Sequence, residues 1–251
     1  MYNHVRGLDH VVIAVRDEQQ GREKLKRLGF ALAPHGVQFL RDRLELAEGG
    51  GQGLAALGFA TDDIQAAGSS LSKAGVILGE PREVTLGEGG ARFRLIDLDA
   101  SATPGASSRI CQYLTPERLM EPDWLRHPNG ALGIRSVTVA VDDPEGVALA
   151  WGRVFGPGST TPTDDLVAVH TDAAMIFLSR PDDVDQMHPD ADLDEPPAAP
   201  MIFALTISVA DTDKAADVLK EGQVPFTRDK EGSVRIEAED GCGFYLELVR
   251  G

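Results

Sequence analysis

His10 and Glu45 are the residues in this sequence whose types and surroundings first suggest chemistry. An imidazole and a carboxylate that look into one hollow can move a proton or hold a cation. His10 lies in Leu8 to Asp17, LDHVVIAVRD. On a strand, Val11, Ile13 and Val15 share one face there, while His10, Val12 and Ala14 share the other. Glu45 lies in Arg43 to Ala47, RLELA, where Leu44 and Leu46 alternate with Arg43, Glu45 and Ala47. With the leucines against a helix, Glu45 faces the same concavity as His10.

The elements that would position this pair recur. Leu54 to Asp63 reads LAALGFATDD, Ile134 to Asp143 reads IRSVTVAVDD, and Ile202 to Asp211 reads IFALTISVAD. Each of the four runs ends in an aspartate suited to cap a helix. Helices are predicted from Asp17 to a Gly29-Phe30 stop, over Asp63 to Ala74, over Pro144 to Phe155, and from Asp211 toward Gly222. The chain therefore reads as four copies of a strand-helix-strands unit. In each copy one strand face is bulky, as in Leu57/Phe59, Val137/Val139/Val141 and Leu205/Ile207/Val209. The other face carries small or weakly polar groups such as Gly58, Thr138 and Thr206, too small to fill a core at protein density. A sheet with helices on its bulky face then encloses a cavity on the other.

Two places per unit face these cavities. For the first two units they are His10, Glu45, Ala56 and Gln112, with Cys111 and Tyr113 turned to the outer face. For the last two they are Ser136, Phe177, Ala204 and Glu247. If sequence neighbours pair, the first pair gathers an imidazole, a carboxylate and an amide, and the chemistry belongs to the first half. Arg109 could neutralise an anionic substrate. His35, His127 and Asn129 are further candidates for the pocket wall. His170 and His188 read as bystanders.

The expected domains are 1–114 and 133–251, joined by a bridge over 115–132 that holds Pro116, Pro122 and Pro128 and turns at Asn129-Gly130. The acidic, proline-rich run 180–200 is expected to be an exposed linker or long loop. With 40 acidic against 24 basic residues, the net charge of −16 disfavours nucleic acid and anionic membranes, because no basic stripe is present. No window reaches the roughly 18 apolar residues of a membrane span. Cys111 and Cys242 read as buried reduced thiols, which suits a cytoplasmic protein. A small-molecule substrate is the expected partner, with a homodimer open.

LDHVVIAV near the start, the helix with its Gly-Phe stop, RLELA, and the bridge His127-Pro128-Asn129-Gly130-Ala131 together resemble the vicinal oxygen chelate superfamily, specifically its glyoxalase-like domain type. The resemblance covers essentially the whole chain. It implies an α+β fold of four βαβββ modules, forming two cupped mixed sheets with helices outside. It also implies a divalent ion held from the first and last strands of a module, where a substrate's adjacent oxygens chelate. Carried over, the ligands are His10, Glu45 and Gln112, for zinc, manganese, iron or nickel. Ala56 departs from the family's pattern, and His35, His127 or Glu247 are the candidates for a further ligand. The implied activity is of the lyase or isomerase type, with Glu45 moving the proton. A metal-free binding protein using the same cavity is the alternative. Ring-cleaving dioxygenase activity is disfavoured, because Ser136 and Ala204 fill places where those enzymes carry histidines.

Overall fold

The structure is a computed structural model. It describes residues 2–32, 43–48, 52–85, 90–119, 122–172, 174–189, 191 and 196–251, with the backbone alone for 43–48. The first unit comprises β1 (Gly7–Val15), α1 (Glu18–Arg27) and β2 (Arg43–Glu48). The second comprises β3 (Gly53–Ala60), α2 (Ile64–Lys73), β4 (Arg82–Thr85), β5 (Arg92–Asp97) and β6 (Ser107–Tyr113). The third comprises β7 (Ala131–Ala140), α3 (Pro144–Phe155), β8 (Thr160–Pro162), β9 (Leu166–His170) and β10 (Met175–Ser179). A short α4 (Val184–Met187) precedes the fourth unit: β11 (Met201–Val209), α5 (Thr212–Glu221), β12 (Thr227–Arg228), β13 (Val234–Ile236) and β14 (Tyr245–Arg250). The fold is mixed α+β.

The four capping aspartates act as their positions suggest. Asp17 accepts from Gln20 N at 2.8 Å, and Asp63 from Gln65 N and Ala66 N at 3.0 Å each. Asp143 accepts from Gly146 N at 3.0 Å, and Asp211 from Asp213 N at 2.8 Å. Each bond satisfies an amide that the first helical turn leaves open. Gly29 ends α1 at φ +82°, a left-handed conformation suited to glycine. Gly222 follows α5 for another reason: a Cβ there would lie 2.2 Å from the Arg27 carbonyl oxygen. The missing side chain lets α1 and α5 close on each other, and the Arg27 Nε donates to Gly222 O at 2.7 Å.

First strands pair within each half, β1 antiparallel to β3 and β7 antiparallel to β11. The first half-sheet has the order β4-β5-β6-β3-β1-β2, and the second β8-β9-β10-β7-β11-β14-β13-β12. Leu54 and Ile202 join them. The bulky faces bury fully: Val11, Leu57, Phe59, Val137, Val139 and Leu205 are all 0% exposed. They belong to one hydrophobic core that runs through both halves. Phe59 of the first half packs edge-on against Phe155 of α3, with ring centroids 4.9 Å apart. The opposite, concave faces form two cups.

The run 180–200 departs from the expected exposed loop. It contains α4, and Val184 and His188 are 0% and 2% exposed. Val184 lies in an apolar cluster with Phe203, and with Ala204 and Tyr245 of the concave face, and the His188 ring packs against Phe203 and Tyr245. Acidic residues flank the buried ones, so average composition concealed a segment anchored by a few side chains.

Candidate functional site

In the first cup His10 is 1% exposed, and its ring lies directly over Gly58. A Cβ on Gly58 would come within 1.9 Å of His10 Cε1, so the glycine leaves the space that the imidazole fills. The backbone register sets His10 opposite Gly58, while a shift between Leu8 and His10 makes Asp9 an extra residue in the strand. The Asp9 Oδ2 lies 2.9 Å from His10 Nδ1 and also accepts from the Tyr113 hydroxyl. Tyr113 is held by an edge-on contact with Phe93, centroids 5.1 Å apart. A chain of contacts thus runs from phenol to carboxylate to imidazole.

The register of β6 corrects one expectation directly. Gly58 pairs with Arg109 and Ala60 with Cys111, so Ser107, Arg109, Cys111 and Tyr113 share the face of His10. Gln112 points to the helix side. Its Nε2 donates to Asp62 O at 2.6 Å, and its Oε1 accepts from Ile64 N at 3.4 Å, at the start of α2. It is not a ligand beside His10, and Arg109 takes the row position assigned to it. Apolar residues lie on both faces of β6: Ile110 in the main core, and Cys111 with Phe93, Leu95 and Leu119 in a separate cluster. Alternation there does not distinguish inside from outside.

His127 and Asn129 also leave the expected pocket. His127 Nδ1 accepts from Ala31 N at 3.1 Å, and its ring meets Phe30 edge-on at 5.8 Å. Burial lowers its pKa below the ordinary imidazole value. Asn129 is fully buried, donating to Leu28 O at 2.9 Å and accepting from Ala131 N at 3.0 Å. These two bridge residues clasp the turn after α1. The backbone of β2 sets Glu45 opposite Val12; its side chain, and His35 entirely, lie outside the described residues.

The second cup is built differently. Ser136 of β7 pairs with Thr206 of β11, Thr206 with Glu247 of β14, and Glu247 with Arg235 of β13. Arg235 is 7% exposed; its Nε donates to Glu247 at 3.0 Å, and an Nη approaches Asp229 at 3.1 Å. Glu247 therefore meets a cation in its own cup and cannot complete a site around His10. Further along the cup, Phe203 and Tyr245 stack at 5.9 Å, and His188 packs beside both, at centroid distances of 5.7 and 5.2 Å. Its Nε2 is 2.9 Å from Thr138 Oγ1. Burial first, and the Arg235 charge second, push its pKa down to about 4, so it is neutral at pH 7. The single-sequence reading missed Asp9, Tyr113, Arg235 and His188. A visible signal for Asp9 was its place immediately before His10; Tyr113 and Arg235 required strand register, and His188 the folding of the 180–200 run onto the sheet.

No group of three or more His, Cys, Asp or Glu side chains suited to a metal ion occurs among the described residues. Cys111 and Cys242 are free and buried, and burial pushes the Cys242 thiol up to about 11. No helix among the described residues is long and apolar enough to cross a membrane.

Comparison with known proteins agrees with this architecture. The glyoxalase-like domain family matches residues 38–155. A catechol 2,3-dioxygenase structure superposes with a TM-score of 0.64 at 16% identity, covering 98% of this chain and 93% of the other. The chain has a glyoxalase-like fold. The glyoxalase-like fold is shared by a 2,2',3-trihydroxybiphenyl 1,2-dioxygenase from Sphingomonas wittichii strain RW1, with a TM-score of 0.61 at 17% identity, covering 98% and 91%. It is shared too by a hypothetical protein from Staphylococcus aureus, with a TM-score of 0.63 at 10% identity, covering 97% and 99%. At these identities the likeness concerns the fold alone. A search of curated protein sequences finds no match.

Proposed function

We propose that this glyoxalase-like protein is an enzyme of the lyase or isomerase type acting on a small oxygenated metabolite in the first cup, with a divalent ion of zinc, manganese, iron or nickel held by His10 and Glu45. The observation that carries the reading is the Asp9 carboxylate on His10 Nδ1 at 2.9 Å. A metal-binding imidazole is commonly oriented in this way, its second nitrogen bonded to a carboxylate and the other turned to the ion. His10 fits that role through Nε2, whereas Gln112, His127 and Glu247 do not fit. An ion bound there supplies a Lewis acid for a carbonyl or enediolate oxygen. Tyr113 and Asp9 hold the ring, Gly58 keeps it flat on the sheet, and Arg109 adds a cation to the same concave face. Glu45 is the proposed proton carrier.

Elemental analysis of protein purified without chelators tests this reading. About one equivalent of metal is expected in the native protein, and a loss of that metal in both His10→Ala and Glu45→Ala. Retention in both variants would exclude the two residues as ligands. A metal-free binding protein is the second reading. It is favoured by Arg109 in the row position assigned to Gln112. No bound metal under any loading condition, with ligand binding intact, selects it.

A further inference from the structure

After β10 the chain turns onto the concave face of the second half. It makes a 3-10 turn over Pro181–Asp183 and then α4, and two side chains anchor it. Val184 is buried in a cluster with Ala140 of β7, Phe203 and Ala204 of β11 and Tyr245 of β14, and Ala191 packs against the same cluster. His188 is the other anchor, through Thr138 Oγ1 and the Phe203 and Tyr245 rings. Asp182, Asp185 and Gln186 of the same segment are exposed. A helix of four residues does not persist on its own, so its place depends on these two anchors.

The surroundings of His188 accept a neutral ring and oppose a charged one. An imidazolium carries two N–H donors. His188 Nε2 meets Thr138, but His188 Nδ1 and the nearby Tyr245 hydroxyl, both buried, have no hydrogen-bond partner among the described residues. The ionisable groups around the ring are Arg235 on β13, Tyr245 and Glu247 on β14, and Asp229 and Glu237 in the loops flanking β13. Arg235 repels a second cation, and Glu247 and Asp229 are already engaged with Arg235. From β7 and β11 the ring meets Thr138 and Phe203, neither of them charged.

We propose that residues 181–189 are a proton-released strap: neutral His188 docks them on the second cup, and protonation of that ring lifts them off. Release uncovers Thr138, Ala204 and Tyr245, each 1% exposed in the docked state. Phe177, which lines the open cavity of this cup, pairs with Thr138, so release extends that cavity inward. The sign of the linkage agrees. The docked ring titrates at about 4 and a free one at 6.5, so acid favours the released form, whose population rises about twentyfold from pH 7 to pH 5. The device does not depend on what His10 binds.

Amide hydrogen exchange, read by NMR at pH 7 and pH 5 and corrected for intrinsic rates, tests the proposal. The His188 and Ala191 amides, donating to Val184 O at 3.0 Å and His188 O at 2.9 Å, report on the strap. The Leu246 amide of β14 reports on the sheet below. The strap amides should exchange at least tenfold faster than Leu246 at both pH values, and their protection should fall about twentyfold from pH 7 to pH 5. His188→Gln should abolish that fall. Val184→Ala should speed strap exchange at both pH values and leave their ratio unchanged, so that one variant remains informative if the other fails to fold. The proposal is overturned if the strap amides exchange no faster than Leu246, which would mean release only by unfolding of the whole half. Equal strap protection at the two pH values, or an undiminished fall in His188→Gln, would also overturn it.

Discussion

The two cups are built from the same units, yet they place charge in opposite ways. In the first, an imidazole lies on a glycine and is oriented by a neighbouring carboxylate. In the second, the glutamate of the last strand is joined to a buried arginine, and a histidine is kept neutral by burial beside two stacked aromatic rings. The first arrangement fixes one imidazole nitrogen on a carboxylate that a phenol also holds. The second pairs its glutamate with an arginine, beside a cavity whose lining includes Ser136, Phe177, Arg135 and Asp172. The same fold therefore carries different side-chain chemistry in its two halves, set by the residues in one register row.

The largest test of this contrast removes Arg235. Arg235→Met leaves Glu247 and Asp229 facing each other with little solvent, and a stability loss of about 3–5 kcal/mol is expected in chemical denaturation. An unchanged midpoint would mean that the carboxylates do not need the guanidinium.

The buried histidine of the second cup gives a pH signature. Its folded pKa is about 4 against 6.5 in the unfolded chain, so between these values the unfolded chain binds a proton that the folded one lacks. Stability contributed by neutral His188 is thus present above pH 6.5, falls as pH drops through that window and levels off below about 4. The full loss is about 3 kcal/mol. His188→Gln should flatten this part of the stability profile; an equal slope in both proteins would place the titration elsewhere.

In the first cup, Gly58→Ala drives a methyl into the space of the His10 ring. The expected cost is about 1–3 kcal/mol, together with a displaced histidine resonance. Full stability with an unmoved His10 signal would contradict the close seating of that ring. The smallest effect belongs to what the cups share. Asp63→Ala and Asp211→Ala should each cost about 1 kcal/mol in thermal unfolding, one in each half, because both caps make the same kind of bond. A large difference between them would show that the halves are not equivalent in their scaffold.

Much of this scaffold was legible in the amino-acid sequence because it rests on local rules. The capping aspartates, the glycine after α1 and the alternation of Val11, Ile13 and Val15 each report on their own segment. The site was less legible because it depends on register between strands far apart in the chain. Alternation assigned Gln112 to the cup, but the pairing of Gly58 with Arg109 turns it away. Asp9 joins His10 only through an irregularity in β1, and Arg235 meets Glu247 only through the β13–β14 pairing. His127 and Asn129 of the HPNGA stretch were expected to line the pocket, but their side chains hold the Gly29 turn.

A manganese titration monitored by paramagnetic broadening addresses the central claim most directly, with the His10 ring signals reporting on the first cup and the Met175 methyl on the second. The account requires His10 to broaden at low manganese while Met175 stays sharp, with this pattern unaltered in Glu247→Gln. Early broadening of Met175, abolished by Glu247→Gln, would place the ion in the second cup and contradict the account.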